Sequence, residues 1–176
     1  VLSLPAISSA GQGVTVGTLY FGVGTQDNNA MNGATVLKTD PRTLRVSASY
    51  KSTSFPDSFL DSGSNFFFLN DSTIALCAKG SSVSGFYCPA NPLSLSASFA
   101  TATGSSSDQG FAIASAQSLF ANNPGVVAVD NIAVATSATS AIDFGLPFFY
   151  GKLVAVLNEG QSALGQQGPF TALAPR

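Results

Sequence analysis

Asp61 is the residue whose surroundings could do chemistry. A short apolar approach, Phe59-Leu60, leads into the tight turn Asp61-Ser62-Gly63-Ser64-Asn65, and a second apolar run, Phe66-Phe67-Phe68-Leu69, follows at once. Asp, Ser and Gly are common turn residues, so the acid is either a turn former or a catalyst. As a catalyst it would take or give a proton next to a bound substrate. The rest of the composition narrows that chemistry. The chain has no histidine, which excludes Ser-His-Asp and Cys-His triads and the usual zinc sites. Carboxylate chemistry is the main option left.

The other acids offer less. Asp27-Asn28-Asn29 could bind calcium but reads as an Asn-rich hairpin turn. Asp71, Asp108 and Asp130 lie in turn-like surroundings and are expected to be solvated. Asp143 differs, because it stands between Ile142 and Phe144, where an unpaired buried acid is costly. It is expected to point outward, to cap a loop or to sit near Asp61. Gly22-Val23-Gly24 is not a nucleotide loop, since no helix follows it. The rings of Phe66-Phe67-Phe68 and Phe148-Phe149 read as core.

The elements that must hold Asp61 are short strands. Val14 to Gly24 alternates and is β-rich, as are Thr35–Thr39 and Leu44–Tyr50, the latter with Leu44, Val46, Ala48 and Tyr50 on one face. Lys51 to Pro56 reads as a turn. Strands are expected at Phe66–Leu69, Thr73–Cys77, Val126–Val129, Ile132–Ala135 and Leu153–Leu157. Leu93 to Ala102 is the cleanest half-buried strand. Phe111–Phe120 is ambiguous, with alanines favouring helix over Ala114–Ala121 and Asn122-Asn123-Pro124-Gly125 stopping it. Many short strands, frequent turns and at most one or two short helices give an all-β fold class, a barrel or sandwich-like domain. The expected organisation is an extended lead-in over 1–13, a β lobe over 14–158 and a Gly/Gln-rich tail over 159–176.

The 176 residues suffice for one domain with a sizeable core. Charged residues make up only 9% of them, far below the usual quarter, so Ser, Thr, Asn and Gln must cover most of the surface. Net charge is −2 and the seven basic residues are scattered. No basic stripe exists to neutralise phosphates, which argues against a nucleic-acid partner. No apolar run approaches the length of a membrane helix. Cys77 and Cys88, eleven positions apart and flanked by Gly80, Ser81, Ser82 and Gly85, suit a small disulfide loop. Two unrelated buried thiols are the alternative; low charge and the lack of metal-like spacing favour the disulfide. Such a loop would contribute about 2–3 kcal/mol and imply an oxidising compartment. The opening Val1-Leu2-Ser3-Leu4-Pro5 has no signal-peptide pattern, so the chain reads as processed or as part of something longer.

In this order the pieces resemble one lobe, the carboxy-terminal one, of a pepsin-like aspartic peptidase. Phe59-Leu60-Asp61-Ser62-Gly63-Ser64 fits that family's apolar-apolar-Asp-Thr/Ser-Gly-Ser/Thr motif. Cys77 and Cys88 follow where the lobe's disulfide loop is expected. Phe144-Gly145 resembles the later apolar-Gly segment that packs beside the Asp loop, and Leu153–Leu157 resembles the closing strand. The likeness covers roughly 14–158 and extends to uncharacterised bacterial proteins of this fold. Asp143 departs from it, standing where an apolar residue is usual, and Leu146 replaces a common acid. No second Asp-Thr/Ser-Gly occurs in the chain.

The resemblance implies an endopeptidase that activates water between two aspartates sharing one proton, with no cofactor and no metal. Asp61 would be one of them, Ser62 would reach across to the partner loop, Gly63 would allow close backbone approach, and Ser64 would support the outer oxygen of Asp61. The other aspartate would come from an N-terminal lobe or from a second copy in a dimer. The implied substrate is an extended peptide, and the implied location is extracytoplasmic, secreted or periplasmic. A binding or structural module that keeps the lobe without turnover is the alternative. An extracellular carbohydrate-binding domain is a third reading, weakened by the absence of tryptophan.

Overall fold

The structure is a computed structural model and describes residues 1–122 and 124–176. Its strands, in chain order, are β1 (Leu2–Ser3), β2 (Thr18–Leu19), β3 (Thr35–Val36), β4 (Val46–Tyr50), β5 (Thr53–Asp61), β6 (Phe67–Leu69), β7 (Leu93–Ala100) and β8 (Ser106–Ile113). After the helix α1 (Ala116–Asn122) come β9 (Ala133–Ala135), β10 (Asp143–Gly145), β11 (Lys152–Leu157), β12 (Ser162–Ala163), β13 (Gln166–Gln167) and β14 (Phe170–Pro175). The protein is all-β, with α1 the single α-helix among the described residues. Asn123, part of the expected helix stop, lies outside them.

Two sheets carry the fold. A seven-stranded sheet runs β8-β7-β4-β5-β10-β6-β9, and a five-stranded sheet runs β2-β1-β11-β14-β3. β7 behaves as its alternation demands, with Ala97 and Phe99 buried while Ser94 and Ser96 face outward. In β4, Val46, Ala48 and Tyr50 are buried, but Leu44 falls in the preceding turn at φ 59° and stays exposed. The expected turn over Lys51–Pro56 is only Lys51-Ser52, both at positive φ, which suits a tight hairpin. β5 therefore starts at Thr53 and runs nine residues to the acid.

The lead-in and the tail both belong to the fold. Residues 1–13 supply β1, which pairs with β11, and residues 159–176 supply β14, which lies between β11 and β3. Boundaries at 13 and 158 would cut through the five-stranded sheet. Thr73–Cys77 and Val126–Val129 form no strand, and Val14 to Gly24 contributes only β2. Its alternation is genuine, yet Val14, Val16 and Phe21 are exposed.

A ring cluster sits behind the acid. Phe144 is fully buried, with ring centroids 4.8 Å from Phe99, 5.1 Å from Phe148, 6.2 Å from Phe111 and 6.4 Å from Phe67. The Phe148-Phe149 pair and Phe67 are core, as expected; Phe66 and Phe68 are half-buried and pack edge-on against each other. β5 carries a bulge, since Val46 opposes Ser58 while Ala48 opposes Phe55. Pro56, which has no N–H to offer a ladder, sits within it, where proline is tolerated. Ser58 repairs the bulge. Fully buried, it donates to the Phe55 carbonyl at 2.9 Å and accepts the Ile142 N–H at 3.0 Å, so it ties the middle of β5 to the entry of β10.

Candidate active site

Asp61 ends β5, and its position follows from how that strand is paired. β10 lies parallel to β5, with Asp143 opposite Phe59, Phe144 opposite Leu60 and Gly145 opposite Asp61. On its other edge β10 pairs antiparallel with β6. Two strands joined by one turn thus straddle a third, and the turn Asp61–Ser64 bridges over the end of β10. Leu146 N–H donates to the Ser64 carbonyl at 2.7 Å. Gly145 is forced by this crossing. A Cβ there would lie 2.0 Å from the Phe66 carbonyl oxygen and 2.7 Å from that of Ser64.

The turn holds both oxygens of the acid. Gly63 N–H donates to Asp61 Oδ1 at 2.8 Å, and the Ser64 hydroxyl lies 2.8 Å from Asp61 Oδ2. The turn also closes through its backbone, Ser64 N–H to the Asp61 carbonyl at 3.2 Å. Gly63 has a local reason to be glycine, since a Cβ would come 3.1 Å from Asp61 Oδ1. Ser62 points outward and is exposed. Phe144 and Gly145, opposite Leu60 and Asp61, lie directly beside the turn.

Asp143 belongs to the same cluster. Its Oδ2 is 2.9 Å from Ser64 Oγ, so one hydroxyl sits between two carboxyl groups. The other oxygen, Oδ1, is buried without a hydrogen-bond partner. Burial pushes this carboxyl up to about 6, with the hydrogen bond from Ser64 opposing the rise and the charge of Asp61 adding to it. The expectation that Asp143 sits near Asp61 is the one that holds among the three weighed.

Beside the turn opens a cleft of about 620 Å³, lined by Leu60 and Ser62 on the site side and by Leu19, Phe21, Phe149 and Val156 around it. Its walls mix apolar side chains with polar ones such as Thr25, Asn158 and Gln161. Among the described residues no group of three His, Cys, Asp or Glu side chains could hold a metal ion, and no helix is long and apolar enough to cross a membrane. Cys77 and Cys88 form a disulfide, with Cα atoms 4.8 Å apart. The Asp27–Asn29 segment is a 3-10 turn, in which buried Asn29 accepts from the Thr25 and Gln26 amides.

Two acids expected to be solvated are not. Asp71 is buried, and its carboxylate accepts from Tyr50 Oη at 2.7 Å, Lys51 Nζ at 2.8 Å and both the amide and hydroxyl of Thr73. Burial alone would raise this acid, but the hydrogen bonds from Lys51, Thr73 and Tyr50 outweigh it and hold the carboxyl well below the ordinary range. Its stabilising effect is therefore complete above the ordinary carboxylate pKa and is lost only as pH falls through the depressed folded value. The network survives mild acid. Asp130 is half-buried, and burial raises it, with Lys152 pulling the other way. Asp108 is exposed, as expected, and accepts from Ser98. Ser58 and the Asp71 network were missed at the level of sequence, because their partners lie far along the chain.

A family model described as "Protein of unknown function (DUF3443)" matches residues 1–173. No curated protein and no solved structure matches the chain.

Proposed function

The chain belongs to the DUF3443 family, and we propose that it is one lobe of an aspartic-type endopeptidase in which Asp61 activates water. The observation that carries this reading is the grip on Asp61. Gly63 N–H and the Ser64 hydroxyl take one carboxyl oxygen each, both at 2.8 Å, at the start of a turn where its neighbours Leu60 and Ser62 line an open cleft. A catalytic carboxylate needs such a fixed orientation, since misplacement of the reacting group costs rate steeply.

Peptide hydrolysis of this kind needs two carboxyl groups sharing a proton. Asp143 does not fill the second place. Its Oδ1 is buried, and the Ser64 hydroxyl, rather than a site for water, lies between its Oδ2 and Asp61 Oδ2. The second aspartate is supplied by an N-terminal lobe with its own Asp-Thr/Ser-Gly, or by Asp61 of a second copy across a two-fold axis. The disulfide loop favours the lobe. The substrate is an extended peptide held between the two lobes, and neither cofactor nor metal takes part. The disulfide agrees with an extracytoplasmic protein, secreted or periplasmic, of the bacterial pepsin-like kind.

A second reading, a non-catalytic binding module with the pepsin-like lobe, draws on a different observation. Phe21 is 91% exposed, Leu19 60% and Val156 52%, and all three border the cleft. An apolar patch of this kind marks an interaction surface. A statine-type inhibitor, which mimics the tetrahedral intermediate, separates the two. The protein as isolated should cleave a denatured test protein at acid pH and be stopped by the inhibitor. Neither cleavage nor inhibitor binding would favour the module.

A further inference from the structure

We propose that Asp143 is a positioning residue that donates a proton to Ser64 Oγ and thereby commits the Ser64 hydroxyl hydrogen to Asp61. The inference rests on the peptidase reading for its effect on rate, but not for the proton arrangement itself. A serine hydroxyl has one hydrogen and accepts through its lone pairs. Ser64 Oγ nevertheless lies 2.8 Å from Asp61 Oδ2 and 2.9 Å from Asp143 Oδ2. Two hydrogen bonds between three acceptor oxygens need two hydrogens, and the hydroxyl brings only one. The second is carried by one of the acids.

Asp143 is that acid. Asp61 Oδ1 has the Gly63 N–H as donor, whereas Asp143 Oδ1 is buried with no partner at all. An ionised carboxylate with one bare buried oxygen is costly, and its neutral form is far less so. The elements packed on β10 supply no cation to offset the charge. β5 contributes the acids Asp57 and Asp61, while β6 and the 3-10 turn Leu146–Phe149 contribute no titratable side chain. The turn contributes only Ser64. Burial, with the charge of Asp61, pushes Asp143 up to about 6.

The chain of donors therefore runs from Asp143 to Ser64 to Asp61. Once Asp143 loses its proton, two carboxylates compete for the single Ser64 hydrogen, and Asp61 loses its fixed outer hydrogen bond. The same proton appears in stability. The unfolded chain ionises this acid near the ordinary value of 3.8, and the folded chain only near 6. Between those values the folded state binds more protons, so stability falls as pH rises across the window.

The test uses the protein as isolated, with Asp143→Asn and Asp143→Leu variants. An amide at position 143 can donate to Ser64 Oγ at every pH. Asp143→Asn should keep kcat at acid pH and move the alkaline limb of the kcat/KM profile upward from about 6, while Asp143→Leu should lower kcat about 10-fold at every pH with KM unchanged. Carbon-13 titration of the aspartate carboxyl carbons gives a readout independent of turnover. One resonance should titrate near 6 and vanish in Asp143→Asn. If no resonance that disappears in Asp143→Asn titrates above the ordinary range, the proposal is overturned whatever the activity. An alkaline limb that stays in place in Asp143→Asn overturns it too. A resonance near 6 that is lost in Asp143→Asn, in a protein that cleaves nothing, supports the proton assignment and removes the peptidase reading alone.

Discussion

Replacing Asp61 with asparagine is expected to lower peptide hydrolysis about 10²–10⁴-fold, the usual worth of a positioned general acid or base. On the peptidase reading the loss should fall on kcat, because that reading puts the side chain against the reacting atoms, and Asp61 is not among the residues that line the cleft. Folding should be little affected. An asparagine can still accept the Gly63 N–H through its carbonyl oxygen, as Asp61 Oδ1 does at 2.8 Å, and the residue is only half-buried. Denaturant unfolding of the variant checks this second point, so that lost activity is not mistaken for lost structure. A variant that folds normally and cleaves at the wild-type rate would remove Asp61 from the chemistry.

Gly145→Ala is expected to have the largest effect on stability, about 3 kcal/mol or more, at the upper end of what overpacking costs. The added carbon would stand 2.0 Å from the Phe66 carbonyl oxygen, 2.7 Å from that of Ser64 and 2.9 Å from the Phe66 carbonyl carbon. All three are backbone atoms, so no side chain can swing aside. Relief requires β10 to withdraw from beneath the turn, which breaks the Leu146 to Ser64 hydrogen bond at 2.7 Å and loosens the ring packing of Phe144. Urea unfolding should show a much lower midpoint, and any protein that stays folded should lose activity as well. Gly110 is a useful contrast, since a Cβ there meets only the Leu95 carbonyl oxygen at 3.9 Å. Near-equal effects at the two glycines would contradict the crossing geometry.

What the sequence disclosed and what it hid differ in range. The Asp61 turn is written in adjacent residues, and so is the loop between Cys77 and Cys88. Leu93–Ala100 shows itself through strict alternation. Asp143 was visible only as an anomaly, an acid inside an apolar run; its contact with Ser64 spans 79 positions and depends on the parallel pairing of β5 with β10. Ser58 was invisible for the same reason, with the Ile142 amide 84 positions away. The tail misled through composition. Its glycines and glutamines precede β14, whose residues Phe170 to Ala174 are all buried, so both faces of the strand are covered and alternation disappears. The opposite error came from Val14 to Gly24, where alternation is present but positive-φ glycines at 22 and 24 and a lack of pairing leave the apolar residues exposed. Asp71 looked like any turn acid, because nothing local announces Tyr50 and Lys51 as its partners.

Native mass spectrometry of the species that cleaves peptide at acid pH tests the central claim most directly. An active species should contain this chain together with a second piece bearing its own Asp-Thr/Ser-Gly, or two copies of it. Finding only the single chain, with no cleavage in any preparation, would leave Asp61 without a second carboxylate and contradict the peptidase reading.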